Sequence, residues 1–560
     1  MRFFRLKAEA TSSGESELQI VGRASKSMIA GRVIATALYL AVLVAPPAAQ
    51  NAARENTSFI APPPRFTDPE RRTKLASAFP EIDHLFADFA AKAHVPGAAW
   101  GIVIDGELAH AGAYGYRDVD TKAPVNADTV FRIASMTKSF TAMAILSLRD
   151  EGKLSLDDPA ERFVPELKAL RYPTADSPRI TVRHLLSHSE GFPEDNPWGD
   201  QQLKVTRLEM QRMISSGIPF SNAPGVAYEY SNFGFAILGE IVSRASGKPY
   251  SAYLAENILG PLGMTATTMD PTNVPADRLA HGYRWEDDRW KEEPLLRDGA
   301  FGPMGGMLTS IRDLARAVSA HLAAWPPRDG VDGVPIRRAS LREMQQIARF
   351  GGASTTRDNA GVLQLNATGY GYGLGVTQNC TFRHVVAHSG GLPGFGSQMR
   401  WLPEYGVGVI AFGNLTYTAW GRTMPAAFDL LARSGGLRPR ETRPSPALLK
   451  AQAAVSQLVS AWDDGLADDI AAENLFLDQA RERRRAHLTE LHAKVGSCRG
   501  TAERFDSVEN ALRGQWTIDC DRGKLQAFVT LAPTMPPKVQ LLDIRVAPPG
   551  EPVRAQICAQ

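Results

Sequence analysis

The sequence predicts an α+β protein whose first and last strands share one sheet, followed by a second, smaller α+β unit. Three observations lead there: strand-like runs on both sides of a helix-rich middle, a Gly/Arg/Pro-rich break at residues 435–445, and a renewed helix-then-strand pattern beyond it. The length of 560 residues accommodates two to four domains. With 44% hydrophobic and 22% charged residues, most of the chain is expected to be globular. Lys plus Arg (62) nearly balance Asp plus Glu (60), and a net charge of +2 gives no electrostatic reason to expect a nucleic-acid partner. Four cysteines without a Cys-x-x-Cys pair exclude a disulfide-built scaffold, a Cys-rich iron–sulfur protein and a structural zinc finger.

The elements follow in order. Residues 33–45 form an uncharged apolar run, preceded by Arg23, Lys26 and Arg32 and followed by Pro46, Pro47, Ala48 and Ala49. That is the order of a secretory signal, and the run is shorter than the roughly 20 residues a spanning helix needs. Residues 1–50 are therefore expected to be a signal peptide, with an uncleaved N-terminal membrane anchor as the alternative and Met28 as a second candidate start. The protein is expected to be exported, periplasmic or extracellular, and with no later apolar span the rest is expected to be soluble. Residues 51–78, Pro-rich and polar at their start, read as a linker. Ile82, Leu85, Phe86 and Phe89 recur at helical spacing. Residues 98–104 and 107–114 are two strands joined by Asp105-Gly106, a strong hairpin signal. Strand signals return at 385–388, 397–402 and 407–412, which closes a first domain over 79–434. After a linker at 435–447, a unit over 448–560 is expected to contain helices at 448–466 and 470–495 and strands at 515–519, 525–531 and 539–544. Cys498 and Cys520 are positioned to pair across a hairpin, whereas Cys380 and Cys558 receive no role. No internal repeat is present.

Ser135-Met136-Thr137-Lys138 is the one Ser-x-x-Lys of the chain. It follows the strand-like run 129–133 and opens a helical pattern, Phe140, Ala144 and Leu148. At a helix start, residues three apart share a face, and the free N–H groups there favour developing negative charge. A serine hydroxyl needs a base within hydrogen-bond reach, and a lysine serves if burial lowers its pKa. Taken alone the motif is weak, because a capping serine with a solvated lysine fits it equally well. Two further clusters add weight. Tyr230-Ser231-Asn232 follows Pro224-Gly225 and opens a second apolar helix, offering a phenol to relay a proton and an amide to hold the lysine. His388-Ser389-Gly390-Gly391 ends a strand, and its glycines let backbone N–H groups approach a substrate oxygen closely.

In that order these clusters resemble the three motifs of the serine β-lactamase/penicillin-binding-protein superfamily, and Tyr230-x-Asn232 is similar to its class C β-lactamase, esterase and D-peptidase branch. Residues 180–188, 261–264 and 305–310 agree, and the resemblance spans roughly residues 79–433. It implies a β-lactamase/transpeptidase-like fold: an antiparallel sheet flanked by helices, with a helical subdomain. It also implies that Ser135 is acylated, that Lys138 is its proton partner, and that Tyr230 acts as general base and then as acid. By the same match Asn232 orients Lys138 and the acyl side chain, and His388 stands beside the pocket to bind substrate or tune Tyr230. Gly391, within Ser389-Gly390-Gly391, adds an oxyanion N–H to that of Ser135. The substrate is then a small molecule or peptide: a β-lactam, a D-amino-acid peptide or a small ester. No cofactor or metal is implied.

The third motif departs from the Lys-Thr-Gly of many β-lactamases. A lysine there is a permanent cation, whereas histidine is mostly neutral near pH 7, which suits an esterase or D-peptidase better. No deacylating glutamate is assigned. Residues 387–391 mimic an α/β-hydrolase elbow with Ser389 as nucleophile, but Pro393 and two glycines stand where a helix should follow. His184 and His188 share the spacing of helical zinc pairs without the accompanying Glu. Gly371–Gly375 reads as a turn rather than a phosphate loop. Trp285 and Trp290 line a cleft or cap a surface loop. A non-catalytic binding or assembly protein on the same fold is the rival of a different class.

Overall fold

The computed structural model describes residues 59–332, 335–357, 361, 363–501 and 504–548. The apolar segment at 33–45 and Cys558 lie outside them. Among the described residues no helix is long and apolar enough to cross a membrane.

The chain first forms helices α1 (Arg71–Ala76) and α2 (Phe79–Lys92), then strands β1 (Gly97–Ile104) and β2 (Glu107–Asp118). Asp105 (φ 54°) and Gly106 (φ 86°) reverse the chain between the strands, both in the left-handed region that a two-residue hairpin turn with the right twist requires. The short β3 (Ala123–Pro124) extends β2 outward. Six strands follow the helical middle: β4 (Arg349–Arg357), β5 (Leu363–Tyr370), β6 (Gly375–Asn379), β7 (Val385–Leu392), β8 (Phe395–Leu402) and β9 (Val407–Gly413). Together they make one nine-stranded sheet in the order β3-β2-β1-β9-β8-β7-β6-β5-β4. The N- and C-terminal parts meet where β1 pairs antiparallel with β9, Ala98 opposite Gly413 through Ile104 opposite Val407.

Side chains alternate across the β1–β9 seam and both faces are covered. Ala98, Trp100, Ile102 and Ile104 join Val407, Val409 and Ala411 beneath α2 and α9 (Thr423–Arg433). Ala99, Val103, Ile410 and Phe412 face the larger core. Central strands of an antiparallel sheet covered on both sides read as continuous apolar runs, and all eight residues of β1 are buried. In the larger core, helix α3 (Thr137–Asp150) is buried at every position from Thr137 to Leu148. A helix enclosed all round has no solvent face, so any polar group it carries must find a partner inside.

The C-terminal unit has a core of its own. Helices Pro446–Ser460, Asp464–Ile470, Leu475–Asp478 and Arg481–Val495 pack on a four-stranded sheet, Ser507–Asn510, Arg513–Cys520, Gly523–Leu531 and Val539–Val546 in sequential order. Trp516, Leu525 and Val529 of the sheet meet Val455, Val459, Leu491 and Val495 of the helices. Cys498 and Cys520 are joined by a disulfide.

The structure departs from the sequence expectation in several places. The stretch read as a linker holds helix α1, with Leu75 fully buried and Arg71 donating to Asp105 at 2.6 Å. Glu441, in the second linker, pairs with Arg65. Each of the two expected C-terminal helices is broken. Asp463 accepts from the Leu466 N–H at 2.6 Å and so starts a new helix within 448–466. Ala472 donates to Val539 and commits residues 471–472 to the sheet. A four-residue edge strand at Ser507–Asn510 was too short to be read from the pattern.

Phe86 is fully buried, with ring centroids 5.4 Å from Trp100 and 5.6 Å from Trp420. Phe86→Ala is expected to destabilise the domain by about 3–5 kcal/mol, read as a shift of the urea midpoint. An unchanged midpoint would show that this face is not what anchors α2.

Candidate active site

Ser135 sits on a strained turn. The short strand Phe131–Arg132 runs into Ala134, which has φ 48°, and a 3-10 turn over Ala134–Met136 leads into α3. A non-glycine residue in the left-handed region costs about 1–2 kcal/mol. The surroundings hold it there. Ile133 donates to the Met307 carbonyl at 3.0 Å and accepts from the Ser397 hydroxyl at 2.8 Å, and Thr137 Oγ1 donates to the Ala134 carbonyl at 2.7 Å. Gly390 on β7 lies flush against this turn, since a Cβ there would stand 2.1 Å from the Ile133 oxygen. Only glycine allows the strand so close.

Lys138 follows one turn later and is fully buried. Its Nζ lies 2.7 Å from Asn232 Oδ1, 2.8 Å from the Met304 carbonyl and 3.0 Å from Ser135 Oγ. The first two partners can only accept, so they take two N–H bonds. The remaining valence points at the serine hydroxyl. Burial pushes the Lys138 pKa down to about 7, against the opposing pull of Asp200 and Asp195. In the neutral amine that third valence is a lone pair aimed at Ser135.

Tyr230 and Asn232 come from the start of helix α6 (Asn232–Ser246). Ser231 caps it, accepting from the Gly234 N–H at 3.1 Å. Asp195 adds a second cap, accepting from the Asn232 and Phe233 N–H groups at 2.6 and 2.9 Å. The Asn232 amide is oriented on both sides, because its Nδ2 donates to Asn196 Oδ1 at 3.1 Å while its oxygen accepts from Lys138. The Tyr230 ring packs tilted against His188 with centroids 4.3 Å apart, and Lys138 Nζ lies 4.8 Å from the Tyr230 centroid. One side of that ring borders a cavity, but the protein around it raises the Tyr230 pKa well above the ordinary phenol value, and a hydrogen bond with Ser135 offsets only part of the rise. Tyr230 is thus a neutral phenol at pH 7.

His388 is also neutral. Its Nδ1 lies 2.6 Å from the Ser389 carbonyl, which only accepts, so that nitrogen carries the proton. Nε2, 2.9 Å from the Tyr370 hydroxyl, is then the acceptor. Burial first, and the nearby Lys138 second, lower the His388 pKa to about 3.

These groups open on a cavity of about 720 Å³ whose lining includes Ser135, Tyr230, His388, Ser389, Gly391 and Asp200. Asp200 is 4% exposed and its Oδ2 accepts from Tyr417 Oη at 2.9 Å. Burial raises its pKa to about 6, against the Tyr417 hydrogen bond and Lys138. The three motifs therefore converge on one cavity. Lys138 and Asn232 do not line it themselves, and Gly390 is a spacer packed against the Ser135 turn.

The rival sites do not assemble. Ser389 lies mid-strand, opposite Gln398 in the β7–β8 pair, so the strand-to-helix elbow is absent. His184 belongs to the capping box of a short helix, Val182–Leu186, and His188 lies beyond its end at φ 52°. The helical face a zinc pair needs is broken there, and His188 Nδ1 instead accepts from the Ser231 N–H at 3.0 Å. Gly371–Gly375 is a turn, with Gly373 at φ 68°. Trp285 and Trp290 belong to a small hairpin and border a separate hollow, where Trp290 donates to the His94 carbonyl at 2.7 Å.

Sequence reasoning missed Asp195, Asp200, Tyr370, Tyr417 and the Met304 carbonyl. Asp195 had a signal, since Asp195-Asn196-Pro197 is a turn-and-cap pattern. Tyr370 and Tyr417 had none, because only the sheet order brings them to the site.

Residues 82–434 match the model of the Beta-lactamase family. Protein flp of Staphylococcus aureus (strain COL) is 31% identical over 340 residues, covering 60% of this chain and 63% of that protein. The chain thus spans less than two thirds of that relative's length. The D-alanyl-D-alanine-carboxypeptidase/endopeptidase AmpH of Escherichia coli (strain K12) is 33% identical over 262 residues, covering 46% of this chain and 64% of AmpH. The octameric penicillin-binding protein homologue from Pyrococcus abyssi superposes with a TM-score of 0.54 at 21% identity, over 84% of this chain and 98% of that one, which is a likeness of fold.

The electrostatics predict one lysine that titrates near neutrality. In NMR spectra of protein labelled at lysine side chains, one resonance should titrate with a midpoint at about 7 and vanish in Lys138→Met. Every lysine titrating in the ordinary range would contradict the assigned charge state.

Proposed function

The chain belongs to the Beta-lactamase family, and from that premise we propose that it is a serine hydrolase that cleaves an amide or ester through an acyl-enzyme on Ser135. The observation that carries the reading is the placement of Lys138, with two N–H bonds fixed on acceptors and its third valence 3.0 Å from Ser135 Oγ. Neutral Lys138 takes the serine proton as Oγ attacks the substrate carbonyl. The developing oxyanion is held by the N–H of Ser135, at a helix start, with that of Gly391 as the second donor. Tyr230, a phenol in its resting state, donates to the departing group and is reprotonated through Lys138. Sequence reasoning had expected Tyr230 to begin as the base, and the raised phenol pKa favours the reverse division of labour. Water then releases the acyl group by the same proton path run backwards.

The substrate reading rests on charge. His388 stands where many β-lactamases have lysine, and its ring is neutral. Among the described residues the cavity lining therefore offers no fixed cation for a substrate carboxylate, which favours esters and amides over dedicated β-lactam hydrolysis. The name of AmpH, a carboxypeptidase/endopeptidase, keeps D-amino-acid peptides among the candidates. We assign the apolar N-terminal segment the role of export to the periplasm or cell exterior, where such substrates occur.

A fluorophosphonate or fluorescent penicillin is expected to label the wild-type protein, and Ser135→Ala should not be labelled. Lys138→Ala should lower kcat on p-nitrophenyl butyrate by about 10²–10⁴-fold. Labelling that survives in Ser135→Ala would point to another nucleophile. A protein that neither labels nor hydrolyses would be a binding module on this fold.

A further inference from the structure

Among the described residues the lining of the catalytic cavity holds one carboxylate, and it takes part in no bond or proton transfer of the proposed chemistry. Asp200 follows the short helix Asn196–Gly199, and its backbone N–H donates to the Asn196 carbonyl at 3.0 Å. Gly199 seats it beside Asn232, since a Cβ on Gly199 would lie 2.8 Å from the Asn232 side chain. Tyr417, in the left-handed region at φ 53°, donates its hydroxyl to Asp200 Oδ2 at 2.9 Å. The Tyr417 ring packs over Gly391, where a Cβ would stand 2.5 Å from it. Oδ1 has no hydrogen-bond partner among the described residues, and Asp200 borders the same cavity as Ser135.

The remaining charges decide what such a carboxylate does there. No lysine or arginine lines the cavity among the described residues. His388 is committed as a neutral ring between Tyr370 and its neighbouring carbonyl. Asp200 is thus the one lining group that carries formal charge, and that charge is negative. A buried carboxylate with an open oxygen stabilises a cation placed against it and penalises an anion.

We propose that Asp200 is a specificity-determining residue that receives a primary ammonium on the acyl part of the substrate. The preferred substrates are then aminoacyl amides and esters with a free amine. The proposal rests on the hydrolase reading for turnover, while recognition of the ammonium stands on the cavity alone. Asp200 on the Asn232 side of the cavity binds the amine, Tyr417 holds the carboxylate in place, and Ser135 meets the carbonyl next to it. An N-acylated substrate loses the cation and leaves a carboxylate facing a neutral amide.

Alanine p-nitroanilide, in both configurations, and its N-acetyl counterpart provide the test. Wild type should favour the free amine by about 10–100-fold in kcat/KM. Asp200→Asn should erase that preference, mainly by raising KM for the amine relative to the N-acetyl substrate, and Asp200→Glu should restore part of it. Asp200 also faces Lys138 electrostatically, and its loss lowers kcat on both substrates alike, so the deciding readout is the ratio of the two kcat/KM values: a free-amine preference that survives in Asp200→Asn would overturn the proposal. Calorimetry of alaninamide and N-acetylalaninamide on the Ser135→Ala protein separates binding from chemistry. Tighter binding of the free amine there supports the ammonium subsite, even if wild type turns nothing over and the hydrolase reading fails. Equal binding of the two ligands would overturn it.

Discussion

The amine of Lys138 is held inside the protein by two groups that can only accept hydrogen bonds, Asn232 Oδ1 and the Met304 carbonyl. Much else in the site follows from that placement. Because the helix carrying Lys138 is enclosed on every side, burial disfavours a charge there, and the neutral form becomes accessible near pH 7. The same enclosure sends the Tyr230 phenol the other way, so amine and phenol differ in proton occupancy where their free side chains would overlap. Asp195 and Asp200 keep Lys138 from falling further. An amine poised near neutrality thus emerges from burial opposed by two carboxylates.

Holding that amine in place requires the large sheet. The turn that presents Ser135 is strained at Ala134 and closed by β7 and β8, through the spacer Gly390 and the Ser397 hydroxyl. Those strands reach the turn because the chain closes its sheet by pairing β9 with β1. Strain of this kind persists where the surroundings over-determine it, and here a sheet, a helix start and a buried threonine all do so. The C-terminal unit has its own core and disulfide, and none of its described residues lines the cavity.

The sequence made most of this legible, for identifiable reasons. Asp105-Gly106 and the apolar runs of β7 to β9 carried the hairpin and the shared sheet, because turn chemistry and strand alternation are local. Ser135, Lys138, Tyr230, Asn232 and His388 were found as motifs, and the helix starts at Thr137 and Asn232 put side chains near their expected places. Tyr370 and Tyr417 were invisible, since only tertiary pairing across the sheet brings them to the cavity. Asp200 was hidden in a loop whose role is set by the packing of Gly199 on Asn232. The broken C-terminal helices show the opposite limit, where helical periodicity ran on past a cap, Asp463, that stops it.

In the proposed chemistry a neutral, buried Lys138 removes the proton from Ser135. The most direct measurement is the rate of covalent capture of Ser135 by a fluorophosphonate as a function of pH, followed by intact-protein mass spectrometry. The rate should climb through about pH 7 as the amine loses its proton and then level off. A rate flat across neutrality, or rising only in the range where an ordinary exposed lysine or a tyrosine ionises, would contradict it.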